Sequence, residues 1–217
     1  MSRAKSGNML YLKEIINLTR KFTSGCIKIV QVGILLLKDY LLCYHGTVKR
    51  DGKYIEENGV NLEEGRFNTD FGKGFYVTNN LKQAESWAKV RHKQFLKRLS
   101  TTDNRPVVVC FLLDIKKLLK LSGKQFEEVN LEWSDFIIEC RYAGEKNYLA
   151  HEFDYVVGAL ADGKVIALLN RYIDGIVSNK EFFKGIYPYT NQSTQLSLHT
   201  IKAIECLNIL EVKELEL

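Results

Sequence analysis

The chain has 217 residues, 46% of them apolar and 26% charged, a composition that excludes a disordered tail or a fibre and fits one globular domain with room for an appendage. The net charge of +5 is uneven: residues 1–50 carry nine Lys/Arg against two acids, and residues 51–217 carry 22 against 24. Five cysteines with no CxxC pair, and no histidine at zinc-ligand spacing, exclude a zinc finger and a disulfide scaffold and fit a reduced, cytoplasmic setting.

Residues 1–8 are small and polar and predict no regular structure. Leu10, Ile15, Ile16, Leu18 and Phe22 form a loose helical stripe ended by Thr23-Ser24-Gly25, and Ile27 to Leu37 is too continuously apolar to assign between strand and helix. The apolar stretch from Cys26 to Cys43 is broken by Lys28, Gln31, Lys38 and Asp39, so no membrane span is expected, a spanning helix needing about 20 mostly apolar residues. Leu41 to Gly46 predicts a strand, and residues 47–72, rich in glycine and charge, predict a long functional loop with one helical turn at Tyr54 to Asn58.

Gly74 to Thr78 predicts a strand, after which Asn79 or Asn80 can cap a helix from Leu81 to Leu99. Its inward face is Leu81, Ala84, Ala88, Phe95 and Leu99, and its basic face (Lys82, Lys89, Arg91, Lys93, Lys97, Arg98) is a solvated exterior. Val107 to Leu113 is the clearest strand. A short strand at Phe126 to Val129, a helix from Leu131 to Tyr142, a strand at Phe153 to Val157 and a helix from Ala161 to Ile173 follow. Residues 174–192 are mixed, Thr194 to Leu198 alternates as a strand, and a helix from Ile201 to Leu207 leads to a last strand at Leu210 to Val212. Strands early and late, helices between them and no βαβ cadence give an α+β class.

Signatures of P-loop, GxSxG and HExxH chemistry are absent, and the GxG of Gly72-Lys73-Gly74 precedes a strand rather than opening a helix. Two segments together say more. Tyr44-His45-Gly46-Thr47 is followed about thirty residues later by Asp70-Phe71-Gly72-Lys73-Gly74-Phe75-Tyr76-Val77-Thr78, then by Gln83-Ala84-Glu85-Ser86-Trp87. This resembles the NAD-binding signature of ADP-ribosyltransferases of the diphtheria toxin and poly(ADP-ribose) polymerase class. There, a His-Gly-Ser/Thr strand precedes a Gly-Lys-Gly-Ile-Tyr-Phe strand and a second aromatic lies eleven residues after the tyrosine; Trp87 lies eleven after Tyr76. Trp133-Ser134-Asp135-Phe136 and Asp154-Tyr155-Val156-Val157-Gly158 resemble a little-characterised bacterial branch of the same superfamily.

The resemblance implies two split sheets forming an NAD cleft, with residues 40–217 as the domain and 1–39 as a basic, partly helical extension. It implies NAD as substrate, held by His45, Gly46, Thr47, Tyr76 and Trp87, with His45, Tyr76 and Gln195 as the catalytic set and no metal. The implied activity is mono-ADP-ribosyl transfer to a protein or nucleic-acid acceptor by an effector or toxin of bacterial type, with an inhibitory partner protein as a further expectation. The alternative is a catalytically silent NAD-binding or partner-binding module of the same fold.

The residue types suit that chemistry independently. The nicotinamide ring of NAD is a flat cation that two aromatic faces can sandwich, and a glycine backbone can meet a carboxamide's donor and acceptor at close range. Breaking the glycosidic bond passes through an oxocarbenium-like centre that a nearby carboxylate stabilises. The class often has Glu on the last strand; this chain has Gln195, with Gln192 as the neighbouring candidate, and an amide is neutral and no general base. A glutamate at 195 is therefore expected to raise NAD cleavage. Arg141 and Asp154 are diphosphate-facing or structural candidates, and Cys43 and Cys110 inert core thiols.

Overall fold

The computed structural model describes residues 39–98, 104–188 and 194–216. The expected N-terminal helix, the Ile27–Leu37 segment and nearly all of the proposed extension lie outside these residues, as does Gln192. The described elements are β1 (Tyr40–Val48), α1 (Lys49–Asn58), β2 (Phe75–Val77), α2 (Leu81–Arg98), β3 (Pro106–Asp114), α3 (Ile115–Leu118), β4 (Gly123–Gln125), α4 (Leu131–Glu145), β5 (Tyr155–Ala159), α5 (Val165–Ile173), α6 (Asn179–Ile186), β6 (Thr194–Leu198), α7 (Ile201–Ile204) and β7 (Leu207–Glu214). The class is mixed α+β, as the order of apolar patterns implied, and the strands form two sheets.

The first sheet runs β1-β3-β7, wholly antiparallel, and the second runs β2-β6-β5-β4 with only β4 and β5 parallel. Every residue of β3 is buried, which explains its unbroken apolar run: a central strand covered on both faces needs no alternation. One face of the first sheet packs Cys43, Val109, Phe111 and Leu113 against Phe75, Val77, Leu196 and Leu198 of the second. Its other face packs Val108 and Cys110 against Ala84 and Ala88 of α2. The far face of the second sheet is closed by Trp133 and Ile137 of α4, Val165 and Leu169 of α5, and Phe182 and Ile186 of α6. Full burial of side chains of this size contributes about 1.5–3 kcal/mol each.

Backbone hydrogen bonds link the sheets at an isolated bridge, Tyr44 to Thr78, with N–O distances of 2.8 and 3.0 Å. Part of the expected loop 47–72 is instead the ten-residue helix α1. The short strand expected at Phe126 lies earlier, at Gly123–Gln125, and the mixed stretch after 174 contains α6, opened by a Ser178/Glu181 capping box. Among the described residues no helix is long and apolar enough to cross a membrane.

Candidate functional site

The site is built where the two sheets part. Odd-numbered residues of β1 turn their backbone groups towards β3, as Lys49 N to Arg105 O (2.8 Å) shows at its end, while Tyr44 turns both of its groups to Thr78. By the two-residue period Gly46 faces the same way as Tyr44, and an antiparallel ladder continued from the bridge would pair Gly46 with Tyr76. That pairing is not formed: the bridge is isolated, and the Tyr76 carbonyl is taken by His45 Nδ1 at 2.7 Å. The N–H and C=O of the buried Gly46 therefore point towards Tyr76 without pairing with it, a gap in the ladder.

His45 wedges this gap. Its ring stacks on Phe75 with centroids 4.4 Å apart. Because Tyr76 O can only accept, Nδ1 carries the proton and Nε2 keeps a lone pair. Burial lowers the His45 pKa, with the Tyr76 carbonyl opposing, Arg91 adding to the drop and Asp51 countering it; the ring is neutral near pH 7. His45 and the buried Thr47 lie on the face of β1 that turns to the inter-sheet core, opposite the face on which Gly46 meets α2.

Gly46 is dictated by that contact with α2. A Cβ on it would stand 2.0 Å from Ala84 O and 2.8 Å from Ala88 N, both backbone atoms. Trp87 belongs to the same helical turn and is 54% exposed, an unusual exposure for the largest side chain and one that leaves its face available to a ligand. Ala84 and Ala88 are buried on the inward face of α2 as expected, with Leu81 packed against the same cluster, and His92 joins them; Leu99 lies outside the described residues.

Tyr76 projects from the other face of β2, next to Ser197, its register partner on β6. Its hydroxyl donates to Gly72 O at 2.7 Å, accepts from Phe71 N at 3.1 Å and shares a hydrogen bond with Thr69 Oγ1 at 2.9 Å. This ties the 69–72 turn to β2, and burial raises the phenol's pKa far above its ordinary value.

Gln195 lies on the Tyr76 side of the second sheet, two residues from Ser197, and is 7% exposed. Its Nε2 donates to Asp70 Oδ2 at 3.0 Å. Asp70 also receives Ala161 N at 3.2 Å and, on Oδ1, Arg141 Nε and Nη2 at 3.0 and 2.5 Å. Gly144 makes this possible: a Cβ there would sit 2.4 Å from Phe67 O, so the 67–70 segment lies directly on α4 beside Arg141, which also reaches Asn68 Oδ1 at 3.2 Å.

The His45 ring reaches the Tyr76 backbone from the core face, whereas the Tyr76 and Gln195 side chains project from the opposite face of the second sheet, so the structure brings Tyr76 and Gln195 to one face and His45 to the other. Asp70 is the member the residue-level reading passed over although it opens the quoted motif; its carboxylate one residue before the phenylalanine was the available signal. Arg141 faces Asp70, and Asp154 binds Ser122 N at 2.9 Å and Thr200 Oγ1 at 2.6 Å, a structural use. Cys43 and Cys110 are buried, and burial pushes the Cys43 thiol up to about 12. Among the described residues no group of three His, Cys, Asp or Glu side chains can hold a metal ion.

Two cavities open elsewhere. One of about 440 Å³ is lined by Gly72, Lys73, His151, Phe153 and His199, and one of about 420 Å³ by Lys124, Phe126, Glu132 and Phe136. Neither contains His45, Tyr76, Trp87 or Gln195. In the first, His151 gives Nε2 to Phe71 O (2.9 Å) and takes Phe153 N on Nδ1 (3.2 Å), and His199 gives Nδ1 to Lys73 O (2.8 Å) and meets Ser197 Oγ through Nε2 (2.9 Å). All four ring nitrogens are used by the protein, so these histidines brace the loop rather than offer ligands.

Residues 41–209 match a family described as a protein of unknown function, DUF3990, and the chain belongs to that family. No curated protein matches it.

Proposed function

We propose that this family member binds NAD at the gap between Gly46 and Tyr76 and transfers its ADP-ribose to a protein or nucleic-acid acceptor. The observation that carries the reading is the broken ladder. One backbone N–H and one C=O on the buried Gly46 point to the side where a strand partner is due and the ladder is not continued, which suits a carboxamide with its one donor and one acceptor. Trp87, exposed in the helical turn that covers Gly46, supplies an aromatic face for the cationic ring at about 0.5–2 kcal/mol. Two sheets that part beside a single bridge are also what the ADP-ribosyltransferase-like arrangement requires.

In this reading the His45 ring props the gap and its Nε2 can accept from a ribose hydroxyl. The Gln195 amide oxygen accepts from the 2′-hydroxyl of the nicotinamide ribose. As the glycosidic bond lengthens, positive charge grows on that ribose, and an aligned amide dipole stabilises it without reorganising. A neutral amide takes no proton, so the acceptor must bring its own nucleophile, which favours a single transfer over chain growth.

The neutrality of Gln195 also favours a second reading, a silent NAD-binding module. Incubating the full chain with labelled NAD and cell lysate, followed by protease or nuclease digestion, separates them. Label in one digest-sensitive fraction supports transfer and names the acceptor class; NAD binding by calorimetry with no labelling and no released nicotinamide supports the module. Absence of binding removes both.

A further inference from the structure

We infer that Asp70 is the positioning residue that sets the polarity of the Gln195 amide, holding its N–H prong inward so that its oxygen is the prong presented to a ligand. An amide can be turned either way about its last torsion, and the two orientations offer opposite chemistry: an acceptor for a hydroxyl in one, a donor in the other. What stands behind it decides. Asp70 is 5% exposed and makes a two-nitrogen ion pair with Arg141, itself mostly buried, and every hydrogen bond to its two oxygens comes from an N–H, so both oxygens act as acceptors. Its Oδ2 lies 3.0 Å from Gln195 Nε2. The flipped amide would set Oε1 against that oxygen, lone pair to lone pair, in a buried place where the repulsion is poorly screened. Ala161 N and Arg141 fix the carboxylate from two further directions, leaving it no rotation that would release the constraint.

The inference rests on the NAD reading for the identity of the ligand, but the orientation itself does not. Changing Asp70→Asn turns a pure acceptor into a group with its own N–H prong. With Oδ1 retained by Arg141, that prong replaces the acceptor of both Gln195 and Ala161 N: the Gln195 amide then turns over and presents a donor, and the Ala161 N–H loses its partner at a cost that the melting curves read. In the double variant Asp70→Asn/Gln195→Glu the Asn N–H meets one Glu oxygen and leaves the other as an acceptor. The pair keeps its single negative charge, moved towards the ligand.

The test measures NAD binding and nicotinamide release for the full-length wild type, Asp70→Asn, Gln195→Glu and the double variant. Exchange protection of the Gln195 side-chain amide is read by NMR in the wild type, Asp70→Asn and Asp70→Ala, with melting curves for all. Each of the singles Asp70→Asn and Gln195→Glu is expected to lose at least tenfold in release, and the double variant is expected to recover at least tenfold over the worse single, a coupling that a merely structural ion pair does not produce. The amide protons are expected to be protected in the wild type and to lose protection in Asp70→Ala. A folded double variant no better than the worse single, or equal amide protection with and without the Asp70 carboxylate, overturns the inference. Protection lost in Asp70→Ala while no protein binds NAD leaves the orientation standing and refutes the NAD reading instead.

Discussion

Gln195 donates its amide N–H to the Asp70 carboxylate across 3.0 Å, although 125 residues separate the two in sequence. This contact reverses an expectation. A glutamate at 195, read from the sequence as a gain, would place a second carboxylate against the first, so one of the pair must stay protonated or the side chain must swing away. Gln195→Glu is therefore expected to lower nicotinamide release rather than raise it. The new carboxyl's pKa is raised in the folded state, so the native protein binds more protons than the unfolded chain; the variant's stability falls as pH rises from about 4.3 through that raised value. Melting temperatures of wild type and variant between pH 4 and 8 check it, and a pH-independent difference counts against the contact.

Tyr76 carries the turn that presents Asp70. Removing its hydroxyl with Tyr76→Phe keeps the ring but strips Phe71 N and Gly72 O of a partner, an expected loss of about 1–3 kcal/mol. Tyr76→Ala adds the cavity and is expected to cost about 3–5 kcal/mol, so a defect in ligand binding by the alanine variant alone says little about stacking. The informative comparison is NAD affinity of Tyr76→Phe against its melting temperature: affinity retained with stability lost separates the ring from the turn.

What the sequence made legible follows from period and punctuation. Thr194 to Leu198 alternates and is β6 residue for residue, and the unbroken apolar run at Val107 to Leu113 extends by one residue at each end as β3. The helix α1 was hidden by Gly52, which reads as a breaker. In the fold that glycine is the contact point, where a Cβ would stand 2.7 Å from Val107 Cγ2, so tertiary packing overrode propensity. The helix α6 falls unassigned within the stretch 174–192 that reads as mixed, although Ser178-Asn179-Lys180-Glu181 spells a capping box that could have signalled it. His45 to Thr47 lie on β1 as expected and the strand expected over Gly74 to Thr78 narrows to Phe75–Val77; the Asp70–Gln195 and Asp70–Arg141 contacts join segments far apart in the chain, and no local pattern encodes such pairs.

Gly46→Ala tests whether the glycine serves the helix or the gap. Its Cβ meets backbone at 2.0 Å, and backbone of a packed helix cannot step aside cheaply, so a loss of about 1–3 kcal/mol or more is expected. Displacement of α2 would also move Trp87. A variant with wild-type melting temperature would contradict the close approach.

The buried His199 gives the protein an acid limb. Burial pushes its pKa down to about 4, His151 adds to the drop and the Lys73 carbonyl opposes it. The unfolded residue titrates near 6.5, so between about 4 and 6.5 the unfolded chain binds more protons and stability rises with pH. The contribution, at most about 3 kcal/mol, is complete above 6.5 and lost as pH falls through 4. Burial lowers His151 in the same direction. A flatter melting profile for His199→Gln than for wild type between pH 4 and 7 is the expected result.

Trp87 offers the most direct reading of the gap because the two tryptophans differ so sharply. Trp133 is fully buried, with Nε1 donating to Ala159 O at 3.2 Å, while Trp87 is 54% exposed. Solvent quenchers should act on Trp87 emission alone, and nicotinamide stacked on its face should quench the same component on adding NAD. Trp87→Ala removes little packing, so its stability is expected to stay within about 0.5 kcal/mol of wild type. Loss of an aromatic wall against a cationic ring should weaken NAD binding by about 1–2 kcal/mol, roughly 5- to 30-fold, with Trp87→Phe recovering part of it. Unchanged NAD affinity in Trp87→Ala, or quenching that persists in its absence, would move the ligand away from this helical turn and leave Gly46 facing some other partner.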